Sequence, residues 1–148
     1  MNKQYYIGTK IIKAWPEYKD DKEGYAVEYE DGYRSWSPKD VFEKAYRPIE
    51  HMNFGLAIEA AKMGKKIARA NWNGKNMFVV YMPPLQLPPF NTQGTARKVN
   101  DRTAKHIGED KPLDCQPYFA MYNAQEQWIP GWLASQTDML NDDWMIVD

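Results

Sequence analysis

Apolar and polar residues alternate with period two in the first third of the chain and switch to a helical period near residue 54, a change that predicts two units. Residues 5–14, YYIGTKIIKA, are rich in β-branched and aromatic side chains and predict a strand, and the polar run 17–23 predicts a loop. Residues 24–30 alternate as a half-buried strand, Asp31-Gly32 is a strong hairpin turn signal, and residues 33–36 return as its partner. Ser37 as an N-cap with Pro38 at the first helical position predicts a short helix over residues 39–45. The run 47–51 contains Pro48, loses all periodicity and reads as a linker.

The second unit begins at Met52. Asn53 is an N-cap candidate, and Phe54, Ala57, Ile58 and Ala61 place one apolar stripe on a helix that Gly64 ends. Strands are expected at 65–70 and 77–82 around a turn at Asn71-Trp72-Asn73-Gly74. Residues 83–99 hold four of the ten prolines and predict a long irregular loop, the kind that is commonly functional or disordered. A short helix over 100–107, stopped by Gly108, is followed by strands at 118–122 and 128–132 around a turn at 123–126. Ser135 caps a last short helix to residue 139 or 140, and residues 144–147 close as a strand. The expected architecture is α+β: a small antiparallel β module over 1–51, then an α+β core of antiparallel strands and short helices over 52–148.

Composition narrows the function. A length of 148 residues is enough for one or two small domains. The formal charge of −1 argues against a duplex-DNA binder, whose affinity rests on many cationic phosphate contacts. Residues 52–111 nevertheless carry ten basic against four acidic side chains, and residues 112–148 carry six acids and no Lys or Arg, which hints at a basic rim beside an acidic tail. Neither a signal peptide nor a membrane span is legible, and the single Cys115 builds neither a disulfide nor a zinc site, so a cytoplasmic setting is expected. Six Trp and ten Tyr exceed the ordinary needs of a core this size and suggest rings at interfaces or in a pocket.

Catalytic chemistry finds no constellation. His51 and His106 lack a neighbouring acid and nucleophile, Cys115 lacks a basic partner, Asp142-Asp143 read as solvated charges, and no phosphate-cradling glycine loop occurs. Binding without catalysis, metal or cofactor is therefore the expectation.

Two clusters stand out. In the first, Trp72 rides a turn among Asn71, Asn73 and Asn76, where an indole can stack on a base and amides can read polar edges; the alternative is that Trp72 caps the core. In the second, Trp132 precedes Ser135, Gln136, Thr137 and Asp138 in the first turn of a helix, where free N–H groups can receive phosphate; Ser135 or Asp138 can equally serve only as caps.

The same residues carry a family resemblance. Met52-Asn53-Phe54-Gly55 with Ala57-Ile58, Gly64 to Arg69, Trp72-Asn73-Gly74-Lys75, Gly131 to Leu140 and Asp143-Trp144 together resemble the second Thoeris anti-defence family of phage proteins, over nearly two thirds of the chain. The resemblance implies a sponge, an α+β homotetramer that sequesters the cyclic ADP-ribose isomer made by a TIR enzyme, some relatives also holding cyclic dinucleotides, in the cytoplasm of a bacterial host. It implies ligand contacts from Trp72, Asn73, Asn76, Phe78, Trp132, Ser135, Gln136, Thr137 and Asp138, with Arg69, Lys75 and Arg97 as candidate phosphate contacts. Residues 1–51 lie outside that family core, although residues 25–47 resemble a short module that precedes it in other phage proteins. The 83–113 insertion is variable in the family, and where it lies over the pocket it alters ligand choice. The competing readings are a phage interaction or assembly module with no small-molecule ligand, and, less favoured, a nucleotide hydrolase.

Overall fold

A computed structural model describes residues 1–148. The chain opens with strands β1 (Lys13–Pro16), β2 (Gly24–Glu28) and β3 (Arg34–Pro38), which form a three-stranded antiparallel sheet in that order. The strand expected over residues 5–14 is shorter than its sequence pattern. β1 pairs with β2 as far as Lys13 opposite Glu28, and there the chain turns through Tyr29 to Tyr33, leaving residues 1–12 nothing to pair with. The Asp31-Gly32 hairpin is present, its turn closed by Gly32 N–H donating to Tyr29 O.

Helix α1 (Lys39–Ala45) has the expected bounds but a different cap. Ser37 stays in the β3 ladder opposite Tyr25, so Pro38 occupies the cap position and no side chain caps the helix. α1 has no fully buried residue; an aromatic stack holds it instead, with Tyr25 on Phe42 at 4.2 Å and Phe42 on Tyr46 at 4.9 Å. Gly24 lies against the indole of Trp36 and the carbonyl of Ser37, so a Cβ there meets both. Gly24→Ala is expected to destabilise the module by about 1–3 kcal/mol, the usual penalty of overpacking, read as earlier loss of near-ultraviolet ellipticity on heating.

Helix α2 (Phe54–Lys62) starts on Asn53, whose side chain accepts from Leu56 N–H, and ends before Gly64 at φ 92°. Its buried residues are Ala57, Ala60 and Ala61, so the stripe is turned slightly from the expected one and Ile58 is only half-buried. These small residues let the helix lie close on a sheet built from β4 (Lys66–Arg69), β5 (Phe78–Met82), β8 (Tyr118–Tyr122), β9 (Trp128–Pro130) and β10 (Trp144–Val147). Between β5 and β8 come β6 (Leu85–Leu87), α3 (Asp101–Ile107) and β7 (Leu113–Cys115); α4 (Gln136–Leu140) precedes β10.

The larger sheet is antiparallel throughout, in the order β10-β4-β5-β8-β9. Ile67 pairs with Val79 and with Ile146, and Val79 pairs with Met121, so one sheet face presents a row of apolar side chains to α2. With Met52 and Trp144 they make the core, each aliphatic member contributing roughly 1.5–3 kcal/mol on burial.

Residues 83–99 are not wholly irregular. β6 pairs with β7, Val99 N–H donates to Pro88 O, and Val99 is buried, so the insertion is tied down at several points. The strand expected over 128–132 stops at Pro130, because Gly131 takes φ 80° and both Gly131 and Trp132 donate their N–H to Phe119 O. The fold class is α+β, as the sequence pattern implied. No helix is long and apolar enough to cross a membrane.

Candidate functional site

Both tryptophan clusters end on the α2 face of the large sheet, and one carboxylate joins them. Ser135 caps α4 by accepting from Asp138 N–H at 3.0 Å, and Asp138 returns the bond by accepting from Ser135 N–H at 3.0 Å, a complete capping box. The other oxygen of Asp138 accepts from Arg69 Nη1 at 2.9 Å and from the indole N–H of Trp72 at 3.1 Å. Arg69 Nε–H donates to Asp143 at 2.9 Å, and the second Asp143 oxygen accepts from Asn71 N–H at 3.0 Å. Trp144, buried completely, donates its indole N–H to the backbone carbonyl of Asp138 at 2.7 Å. Strand end, turn, α4 and β10 are thus locked by one hydrogen-bonded network, and no buried side-chain nitrogen or oxygen lacks a partner.

Three indoles pack edge-on around this network. Trp72 and Trp144 lie 5.4 Å apart, Trp72 and Trp132 6.0 Å, and Trp132 and Trp144 6.2 Å, each pair at more than 70° between planes. Trp72 and Trp132 are half-buried, each keeping some surface open. Burial alone pushes the Asp138 carboxyl up, but hydrogen bonds from Arg69, Ser135 and Trp72 outweigh it and hold the group below the ordinary carboxylate range. Asp143 follows the same pattern, burial being overcome by Arg69 and by Asn71 N–H. Arg69 is raised further above its ordinary value, chiefly by its bond to Asp143.

A pH dependence follows. Groups with depressed folded-state pKa stabilise the fold fully above their unfolded value, about 4 for Asp, and lose that contribution as pH falls through the folded value. Stability should be flat from neutral pH to about pH 5 and decline below it, with Arg69→Met shrinking the decline; thermal melts across that range check this.

The sequence candidates fall into four groups. Trp72, Trp132, Ser135 and Asp138 come together, with Gln136 and Thr137 exposed beside them on α4. Because the capping box uses the N–H groups of Ser135 and Asp138, the amides of Gln136 and Thr137 are the first turn's remaining donors. Asn73, Lys75 and Asn76 lie exposed on the turn after Trp72, Asn76 in the left-handed region at φ 60°. Phe78 points away: its neighbour Val79 faces α2, so Phe78 lies on the opposite sheet face, stacked on Tyr122 at 5.3 Å beneath the Lys66 ammonium. Arg97 is exposed in the 83–113 insertion, its backbone N–H bonded to Thr95 Oγ1.

One reading from sequence needs correction. Asp142-Asp143 are not a pair of solvated charges, since Asp143 is half-buried and holds both Arg69 and Asn71. The guanidinium of Arg69, a candidate phosphate contact, is occupied by two carboxylates. Sequence reasoning missed the Arg69-Asp143 tie because the partners stand 74 positions apart; the remaining signal was an Arg ending β4 and an Asp just before its neighbour β10. A concavity of about 1040 Å³ lies elsewhere, between residues 8–14, α1 and α2, and touches neither Trp72 nor Trp132.

A family model of the Thoeris anti-defense 2-like domain matches residues 52–147. The chain belongs to this family. Thoeris anti-defense 2 of Bacillus phage SP01 is 34% identical over 96 residues, which are 65% of this chain and 94% of the relative. All of the Arg69, Asp138 and Asp143 network and all three packed indoles fall inside the matched span, whereas the β1-β2-β3 sheet and α1 lie before it. As a member of the Thoeris anti-defense 2-like family, the chain therefore has a core to which the tryptophan cluster belongs and an additional element set in front of it.

Proposed function

We propose that this is a phage anti-defence protein that binds and sequesters a cyclic nucleotide immune signal, the TIR-derived cyclic ADP-ribose isomer or a cyclic dinucleotide, without cleaving it. Captured signal never reaches its Thoeris effector. The observation that carries this reading is the union of both tryptophan motifs around Asp138, within the span matched to the family. The name of the phage SP01 relative supports the anti-Thoeris role.

In this proposal the open surfaces of Trp72 and Trp132 meet the base, Asn73 and Asn76 read its edges, and Gln136 and Thr137 with Lys75 meet phosphate, inside the bacterial host. Arg69 and Asp138 hold the walls in place. Phe78 and Arg97, remote from the indoles within one copy, join the ligand only where a second copy completes the pocket, which is consistent with a homotetramer. The geometry supplies no nucleophile with an activating base, and no group of three or more His, Cys, Asp or Glu is placed to hold a metal. That favours binding over hydrolysis.

Purified protein should bind the cyclic ADP-ribose isomer in calorimetry and release it chemically intact on heat denaturation; recovery of a cleaved product overturns the reading. Trp72→Ala is expected to weaken binding by about 1–3 kcal/mol, one lost stacking partner, measured well below the melting temperature of the variant. Unchanged affinity would take Trp72 out of the site. A chain that binds no nucleotide signal but captures one specific phage protein would instead be an assembly module.

A further inference from the structure

The chain is held differently on the two sides of Trp72. Before the indole, Ala70 and Asn71 donate their N–H groups to Asp143 and Trp72 donates its own to Arg69 O. After it, no backbone hydrogen bond ties residues 73–77 to another element, although this stretch carries Asn73, Lys75 and Asn76. Packing holds it instead. The register that sets Phe78 opposite Tyr122 puts this loop beside the turn between β8 and β9. Gly74 lies against both Met77 and that turn: a Cβ on Gly74 would stand 2.8 Å from the Ala124 Cβ and would collide with Met77 Sδ. Met77 is packed on the core and the Ala124 methyl is fixed to the turn backbone, so an added atom displaces the loop. The turn is the stiffer side. Asn123 Oδ1 accepts from Gln125 N–H at 3.0 Å and from Gln127 N–H at 2.9 Å, Asn123 Nδ2 donates to Gln127 Oε1 at 3.1 Å, and Asn123 N–H donates to Gln127 O. A loop without outside hydrogen bonds thus leans on a turn that is bonded to itself at every step.

We propose that Ala124 is a positioning residue of the signal site: its methyl, held by the Asn123 turn, seats Gly74 and so places the Asn73 and Asn76 amides beside Trp72. This rests on the sequestration reading, in which those amides read the edges of the base. Ala124 belongs to neither tryptophan motif and acts only through the loop it supports. Hydrogen bonds weaken steeply with distance and angle, so moving the loop by the width of one methyl group removes the amide contacts and leaves the Trp72 ring where it is.

Calorimetry with the cyclic ADP-ribose isomer tests this, at a temperature where the thermal melt shows each variant folded. Gly74→Ala should weaken binding at least about tenfold, the equivalent of one or two amide hydrogen bonds. Adding Ala124→Gly makes room for the new methyl and should restore most of the affinity. Ala124→Val presses on the same contact from the exposed turn and should also weaken binding, which keeps the test open where Gly74→Ala does not fold. In either weakened background, Asn73→Ala with Asn76→Gly should cost nothing further, although the same pair weakens binding in the natural chain, because displaced amides no longer reach the base. Unchanged affinity in either folded single variant, no recovery with Ala124→Gly, or an equal cost of the amide changes in both backgrounds would overturn the proposal and leave sequestration standing. A natural chain that binds no cyclic nucleotide signal would instead remove the sequestration reading, and the role of Ala124 with it.

Discussion

Asp138→Ala is expected to lower the stability of the residue 52–147 core by about 3–5 kcal/mol, the loss typical when one partner of a buried ion pair is removed. The reason is the number of groups that depend on one carboxylate. Without it Arg69 keeps only Asp143, the Trp72 indole N–H loses its acceptor, and the α4 capping box opens at Ser135. At roughly 4–8 °C per kcal/mol for a unit of this size, melting should fall by more than about 12 °C. Asp138→Asn keeps the shape and one acceptor oxygen, so it should cost less than Ala. Arg69→Ala with Asp138→Ala should cost clearly less than the two single changes added, because each single change strands the other charge. Additive losses in chemical denaturation would show that the network is a set of separate contacts.

What could be read from the sequence divides by distance along the chain. Caps at Asn53 and Ser135 were legible because each bonds an amide three residues away, a signature contained in a four-residue window. Strands β5 and β8 were legible because their partners lie on both sides and their apolar pattern is continuous, and the edge strand β10 because Trp144 to Val147 is an unbroken apolar run. Residues 5–12 have an equally good strand pattern and form none, since β propensity expresses itself only where a partner edge exists. The same limit explains β6, which sits in a proline-rich run yet finds Leu113 to Cys115 some 30 positions later.

The candidate site divides similarly. Sequence brought Trp72 and Trp132 forward as two walls, and they do meet at 6.0 Å, but as an edge-on pair leaning on Trp144 rather than as two parallel plates. Trp72 is accordingly both of the things weighed for it, a ring on a turn and a cap on the core. Phe78 was placed with the site by the family resemblance, and strand alternation turns it to the other sheet face, as it must for any neighbour of Val79.

Trp144 carries the second large effect. It is wholly buried, touches Phe54 at 5.1 Å and both other indoles, and its backbone pairs with Arg69 on one side and bridges Met52 on the other. Trp144→Ala is expected to destabilise the core by about 3–5 kcal/mol, the range for a large aromatic truncated in a packed interior. Trp144→Phe separates the contributions: it refills most of the volume but leaves the Asp138 carbonyl without its donor, a loss of about 1–3 kcal/mol. Neither change touches an exposed surface, so both test whether the half-open rings depend on the buried one. Packing predicts that they do, because Trp72 and Trp132 rest edge-on against the Trp144 ring and have no other indole behind them. Under the proposed function, Trp144→Phe should therefore weaken signal binding even where the variant is fully folded, measured by calorimetry at a temperature well below its melt. Unchanged affinity in a folded Trp144→Phe protein would mean that Trp72 and Trp132 are positioned by the Asp138 bonds alone, and the indole triad would then be core packing with no part in shaping the site.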